Sequence, residues 1–180
     1  MNNKLVPLYR ERESYTLFYE PKNNALYKLQ HRNKSFGGFF ILMLATYWFS
    51  KLLNRFYEDY QNSFLNIVIF IFAIGITYYI ASIFYRSYYN KETKREIILD
   101  KIKLQEYAVK GLKQLRIEFY SSVVLLPINV IFFTIFFITG DIDSLVIGCI
   151  FSGAVFILGF MKPMSRKRIL KKIENNLLDI

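Results

Sequence analysis

The sequence predicts an all-α integral membrane protein. Four transmembrane helices form two hairpins, with a small N-terminal cytoplasmic cap resembling a β-hairpin and amphipathic helices on the same side. Three observations carry this. Four apolar runs occupy 36–53, 64–85, 119–139 and 144–161, each near the ~20 residues a helix needs to cross the hydrocarbon core. Of the 24 Lys and Arg, 22 lie in 1–35, 86–118 and 162–180. The short loops 54–63 and 140–143 hold one base, Arg55, against four acids, Glu58, Asp59, Asp141 and Asp143, and Lys51 sits at a helix end. Basic loops stay in the cytoplasm, which places both termini and the middle loop 86–118 inside. Finally, 53% of the 180 residues are hydrophobic and 18% are aromatic, too apolar for one soluble domain with four such runs.

The formal net charge of +10 would suggest nucleic acid in a soluble protein. Here the cations flank apolar runs, so the orientation rule accounts for them. The expected partner is a bilayer with anionic head groups, not nucleic acid. Asn, Lys, Ile, Phe and Tyr are abundant, a usage typical of AT-rich bacterial genomes, and the expected location is a bacterial cell membrane.

Residues 1–35 read as the cap. The strand-forming run 13–20, the turn cluster Pro21-Lys22-Asn23-Asn24 and the partly alternating run 25–30 predict two strands around a turn. A lone hairpin is marginal in water, so the cap is expected to lie on the membrane surface or on the middle loop. Segment 1–12 lacks the apolar core of a cleavable signal peptide, so the first span is expected to serve as an uncleaved anchor. It opens at Gly37-Gly38 and closes near Lys51, whose stem can reach the head groups. The second span carries Tyr78, Tyr79, Tyr85, Tyr88 and Tyr89 toward its cytoplasmic end, as an interfacial aromatic belt.

Residues 91–118 predict a charged amphipathic helix extending the third span. Leu104, Ala108, Leu112, Leu115 and Phe119 share one stripe, with Lys101, Lys103, Lys110, Lys113 and Arg116 largely off it, and Gly111 is a point where it could bend. The tail 162–180 repeats the theme: Ile169, Ile173 and Leu177 beside Arg166, Lys167, Arg168, Lys171 and Lys172.

No ionisable group lies in the middle of any span, which argues against a self-contained pump, since such groups usually mark intramembrane proton and ion paths. The one histidine, His31, sits in a basic run and reads as a solvated interfacial side chain. The one cysteine, Cys149, reads as a buried structural thiol. No phosphate loop, paired-carboxylate motif or zinc-helix motif occurs, so neither an enzyme nor a cofactor or metal site is expected. Candidate contacts for a membrane-embedded partner are Asn66 and Asn129, the latter two positions after Pro127, and the small-residue face Ser144, Gly148 and Ser152.

The Tyr-rich pair Tyr15-Thr16-Leu17-Phe18-Tyr19 and Leu26-Tyr27-Lys28-Leu29 leads directly into the first span. With the multi-span body, it resembles the small membrane immunity proteins of Gram-positive bacteria. That resemblance implies a plasma-membrane protein that binds a membrane-active toxin and protects the producing cell. Several of those proteins have five spans where four are counted here. The alternative is an accessory membrane subunit of a transporter or secretion system, docked through its basic cytoplasmic segments.

Overall fold

The computed structural model describes residues 5–11, 14–32, 37–60, 62–89, 91–175 and 177. In chain order they form β1 (Val6–Arg10), β2 (Tyr15–Glu20), β3 (Ala25–Gln30), α1 (Gly37–Tyr57), α2 (Ser63–Tyr88), β4 (Arg95–Ile97), α3 (Lys101–Thr139), α4 (Ile142–Phe160) and α5 (Pro163–Glu174), with 3-10 turns at Glu58–Tyr60 and Lys91–Thr93. The chain divides into two compact units: 1–32 with 83–121 and 157–180, and 33–82 with 122–156.

The first unit is built on an antiparallel sheet in the order β1-β2-β3-β4. The expected hairpin is there, with Tyr15 opposite Gln30 and Glu20 opposite Ala25. Its turn closes at Asn24, whose φ of 52° lies in the left-handed region that Asn tolerates. The hairpin does not stand alone, however. β1 flanks β2 with a bulge at Leu8, and β4 pairs with β3, placing Ile97 opposite Leu26. Part of the segment read as purely helical, 91–118, is therefore a turn and a strand, and helix begins only at Lys101.

Both faces of this sheet are covered. Val6, Leu8, Tyr19 and Leu26 pack with Leu104 and Ala108 of α3 and Ile169, Leu170 and Ile173 of α5. On the other face Leu5, Phe18 and Leu29 pack with Tyr85, Tyr89 and Met161. This two-sided burial explains why β2 reads as a nearly continuous run of strand formers. The predicted stripe of α3 is the buried one at Leu104, Ala108 and Leu115, whereas Phe119 is exposed. Gly111, read as a possible bend, has a packing role: a methyl there would lie 2.6 Å from the Leu8 carbonyl oxygen and 3.0 Å from Leu170.

The second unit is helical. Three helices are long and apolar enough to cross a membrane: α2, α3 and α4 with its continuation to Glu174. The first apolar run also forms a helix of 21 residues, but α1 is not one of the three; its last turns carry Lys51, Asn54 and Arg55. The four predicted spans are thus four helices, of which three meet the length and apolarity of a span. The third predicted span has no helical start of its own, since α3 runs unbroken for 39 residues through Pro127. Tyr57, Phe136, Ile142 and Leu145 form the core here, joined by Phe70, Phe133 and Cys149.

Candidate functional site

Polar groups in the second unit gather in three places. The densest is the start of α4. Asp141 accepts hydrogen bonds from Asn54 Nδ2 at 2.7 Å, from the Ser144 hydroxyl at 2.6 Å and from the Ser144 backbone N–H at 3.0 Å. This is helix N-capping by a carboxylate, favoured by both the orphan amides and the helix dipole. Burial pushes the Asp141 carboxyl up, but the bonds from Ser144, Asn54 and Asp143 outweigh it and hold the group below its ordinary range. Asp143 accepts from Ser50 Oγ at 2.6 Å and pairs with Lys51 Nζ at 2.5 Å, and Asn54 Oδ1 receives the Ile142 N–H at 2.8 Å. The groups that make α1 polar are therefore answered by carboxylates at the α3–α4 turn.

The other two places are single contacts. The Tyr57 hydroxyl donates to Asn66 Oδ1. The Ser152 hydroxyl reaches Asn129 Oδ1 at 3.4 Å. Near them Phe133 lies against Gly148, where its ring occupies the space a Cβ would need, and it meets Phe70 edge-on at 4.9 Å.

All five residues singled out from the sequence are buried. Asn129 and Ser152 are brought together, Ser144 serves the α4 cap, Asn66 is held by Tyr57, and Gly148 seats Phe133. They do not converge on one site. Each is spent on contacts within the chain, as small and polar residues in packed membrane helices usually are.

The first unit holds two polar constellations that the sequence reading missed. Arg166, one of the five cations beside the predicted apolar stripe of the tail, is 0% exposed. Its Nη1 pairs with Glu118 Oε2 at 2.6 Å, its Nε donates to the Leu8 carbonyl at 3.1 Å and its Nη2 to Gln114 Oε1 at 3.3 Å. The Leu8 bulge is what frees that carbonyl from the ladder. Gln114 also brackets Arg10, accepting from its N–H at 3.1 Å and donating to its carbonyl at 2.6 Å. The side chains of α3 and α5 thus close the free edge of β1, which would otherwise be open to pairing. The signal was in the sequence: Arg166 is in phase with Ile169, Leu170 and Ile173 on the buried side of α5.

His31 is likewise no solvated side chain. It is half-buried, with Nε2 2.8 Å from Thr16 Oγ1 and Nδ1 3.2 Å from the Tyr88 hydroxyl. Burial first, and the Arg10 guanidinium second, hold its pKa below the ordinary value of 6.5. Cys149, read as a buried thiol, is only partly buried. Among the described residues no three His, Cys, Asp or Glu are grouped to hold a metal.

Comparison with protein-family models, with curated proteins and with solved structures finds no match.

Proposed function

We propose that the chain is a bacterial membrane immunity protein that binds a membrane-active toxin within the bilayer and blocks its assembly or depolarising action. In this reading α1 to α4 cross the membrane as two hairpins, with both termini and the segment between α2 and α3 in the cytoplasm. The fourth crossing is supported by the answering of Lys51 and Asn54 by Asp143 and Asp141, which lowers the cost of placing α1 in the bilayer.

One observation carries the binding reading. Asn66, Asn129, Ser144 and Ser152 of the helical unit are used inside the chain, and what α2 and α3 present outward is large and apolar: Phe72 is 71% exposed and Ile138 is 74% exposed. Such a surface recognises a partner by packing a transmembrane segment against it. The architectural resemblance to immunity proteins supplies the kind of partner.

The test is a challenge of sensitive bacteria carrying the chain with the toxin encoded beside it, read with a voltage-sensitive dye. Protected cells should hold their potential against that toxin while still collapsing with an unrelated ionophore. Depolarisation at the control rate would sink the proposal.

The alternative, an accessory subunit, draws on the other unit, which assembles the segments 1–32, 83–121 and 157–180 into one sheet-and-helix body; with the orientation proposed above, that body could dock a cytoplasmic component. Unchanged export or transport in a deletion strain would remove it.

A further inference from the structure

α5 starts three residues after α4 ends, beyond a backbone break at Lys162, whose φ of 52° is left-handed, and with Pro163 in the first turn. Proline fits that position because its missing N–H would lack a helical partner anyway. The two sides of α5 differ completely. Arg166, Ile169, Leu170 and Ile173 are buried in the sheet-and-helix unit. Met164, Lys167, Arg168, Lys171 and Lys172 fall at i, i+3, i+4, i+7 and i+8, one continuous stripe on the opposite side, and all five are exposed.

The apolar side of this amphipathic helix is therefore consumed by the protein's own core, so α5 does not lie in the bilayer interface on that side. Its outward stripe carries four cations; the one acid of α5, Glu174, is exposed at its last residue beside Lys167 and Lys171, but among the described residues no carboxylate pairs with any of the four. The stripe opens, at the end nearest α4 in sequence, with Met164, a large apolar side chain 86% exposed. Cations alone would suit any soluble polyanion. An unbranched apolar side chain among them, a few residues past an apolar helix, suits a surface that is anionic outside and oily just beneath.

We propose that the Met164–Lys167–Arg168–Lys171–Lys172 stripe docks on anionic phospholipid head groups of the leaflet that α4 enters. This rests on the membrane reading and is separate from toxin binding. Clusters of four or more Lys and Arg next to a span bind such lipids through surface potential, each cation near the surface contributing roughly fivefold to partitioning. The attraction fades within about 10 Å at ordinary ionic strength, and α5 spans about 18 Å at 1.5 Å per residue, so all four cations can act together only where the stripe lies along the leaflet.

The test uses the full chain in nanodiscs of phosphatidylcholine alone or mixed with phosphatidylglycerol. A bimane dye is placed at Met164→Cys in a Cys149→Ala background. Resistance to alkaline extraction from native membranes separately checks that the chain is membrane-integral. The expected result is a blue-shifted emission in the phosphatidylglycerol discs only, reversed by high salt. It should be lost when Lys167, Arg168, Lys171 and Lys172 are all changed to Gln and kept when the three lysines are changed to Arg. Equal emission in both discs, or a shift surviving the Gln changes, overturns the proposal. So does the same shift from inorganic phosphate added to phosphatidylcholine discs, which would make the ligand a free anion. Circular dichroism of the Gln variant guards against unfolding, and the Arg variant keeps the test decisive if that variant fails to fold.

Discussion

The two units of this chain place charge and apolar surface in opposite ways. The segments of the sheet-containing unit hold 21 of the 24 Lys and Arg and 10 of the 14 acids, for a net +11; those of the helical unit hold 3 and 4, for a net −1. The first buries leucines and isoleucines and shows cations. The second buries Asn66, Asn129, Ser144 and Ser152 and shows phenylalanines and isoleucines. The cations thus gather in one unit and the span-like apolar segments in the other, although Ile98 and Ile102 of the first are also exposed. The difference reaches the joints. The sheet-containing unit is held by a buried ion pair; the helical unit is held by the neutral pairs Tyr57–Asn66 and Asn129–Ser152 and by the carboxylates at the start of α4, with its ion pair at the end of α1. A buried pair is tolerable where added hydrogen bonds help to satisfy it, and Arg166 has two acceptors besides Glu118, the Leu8 carbonyl and Gln114 Oε1.

The largest effect should come from breaking that lock. Arg166→Ala leaves Glu118 and the Leu8 carbonyl facing an emptied site, and removing one partner of a buried pair costs about 3–5 kcal/mol. Denaturant unfolding in detergent, followed by protease cleavage within α5, should show that loss. Arg166→Met combined with Glu118→Gln should recover most of it, because no unpaired charge remains. If the single variant is as stable as the parent, the pair is not a lock. Next comes packing in the same unit. Leu170→Ala, at a site fully buried between β1 and α3, should cost about 2–5 kcal/mol. Gly111→Ala should also destabilise, since its methyl meets the fixed backbone of β1 rather than a side chain able to move.

A parallel change in the helical unit should do much less. Asn129→Ala removes the partner of Ser152, and hydrogen bonds between membrane helices average roughly 0.6 kcal/mol, because the unfolded chain in the bilayer also finds partners. Thermal unfolding in nanodiscs checks this, and a loss as large as that of Arg166→Ala would erase the contrast between the units.

What the sequence disclosed follows the same division. In the helical unit a single signal, long apolar runs, located α2, α3 and α4 to within a few residues wherever a helix begins or ends at a loop. It could not mark a boundary inside α3, because helix propensity continues through the change from charged to apolar residues near Phe119. The sheet-containing unit combines short segments distant in sequence, and there local pattern fails. β1 carries Pro7 and a bulge, which break the two-residue alternation. β4 is three residues inside a charged run. The partner contacts picked out as polar or small were legible as unusual, but not as already satisfied, since satisfaction depends on which helix faces which. Arg166 and His31 were misplaced for one reason: a charged or titratable side chain in a basic run resembles surface until the strand covering it is known.

The smallest expected effect separates the units by pH. His31 is held below its ordinary pKa of 6.5 by burial and by Arg10. Near that pH the unfolded chain therefore binds more protons than the folded one, and stability rises with pH. The contribution is complete above about 6.5 and is lost as pH falls from there through the lowered folded value. Asp141 is also held low, from an ordinary 3.8. Its contribution is present above that value and is lost only as pH falls further, through the depressed pKa. Acidification from neutrality to just below 6 should therefore loosen the sheet-containing unit, beginning where His31 meets Thr16 and Tyr88, while leaving the α3–α4 turn intact. Hydrogen exchange of the full chain at the two pH values reads both regions in one experiment. After correction for the slower intrinsic exchange at lower pH, relatively faster exchange should appear in β2 and β3 and not at 141–145, and His31→Gln should abolish the difference. Equal acceleration in both regions would mean that groups other than His31 set the acid response, and that the two units do not differ in this range.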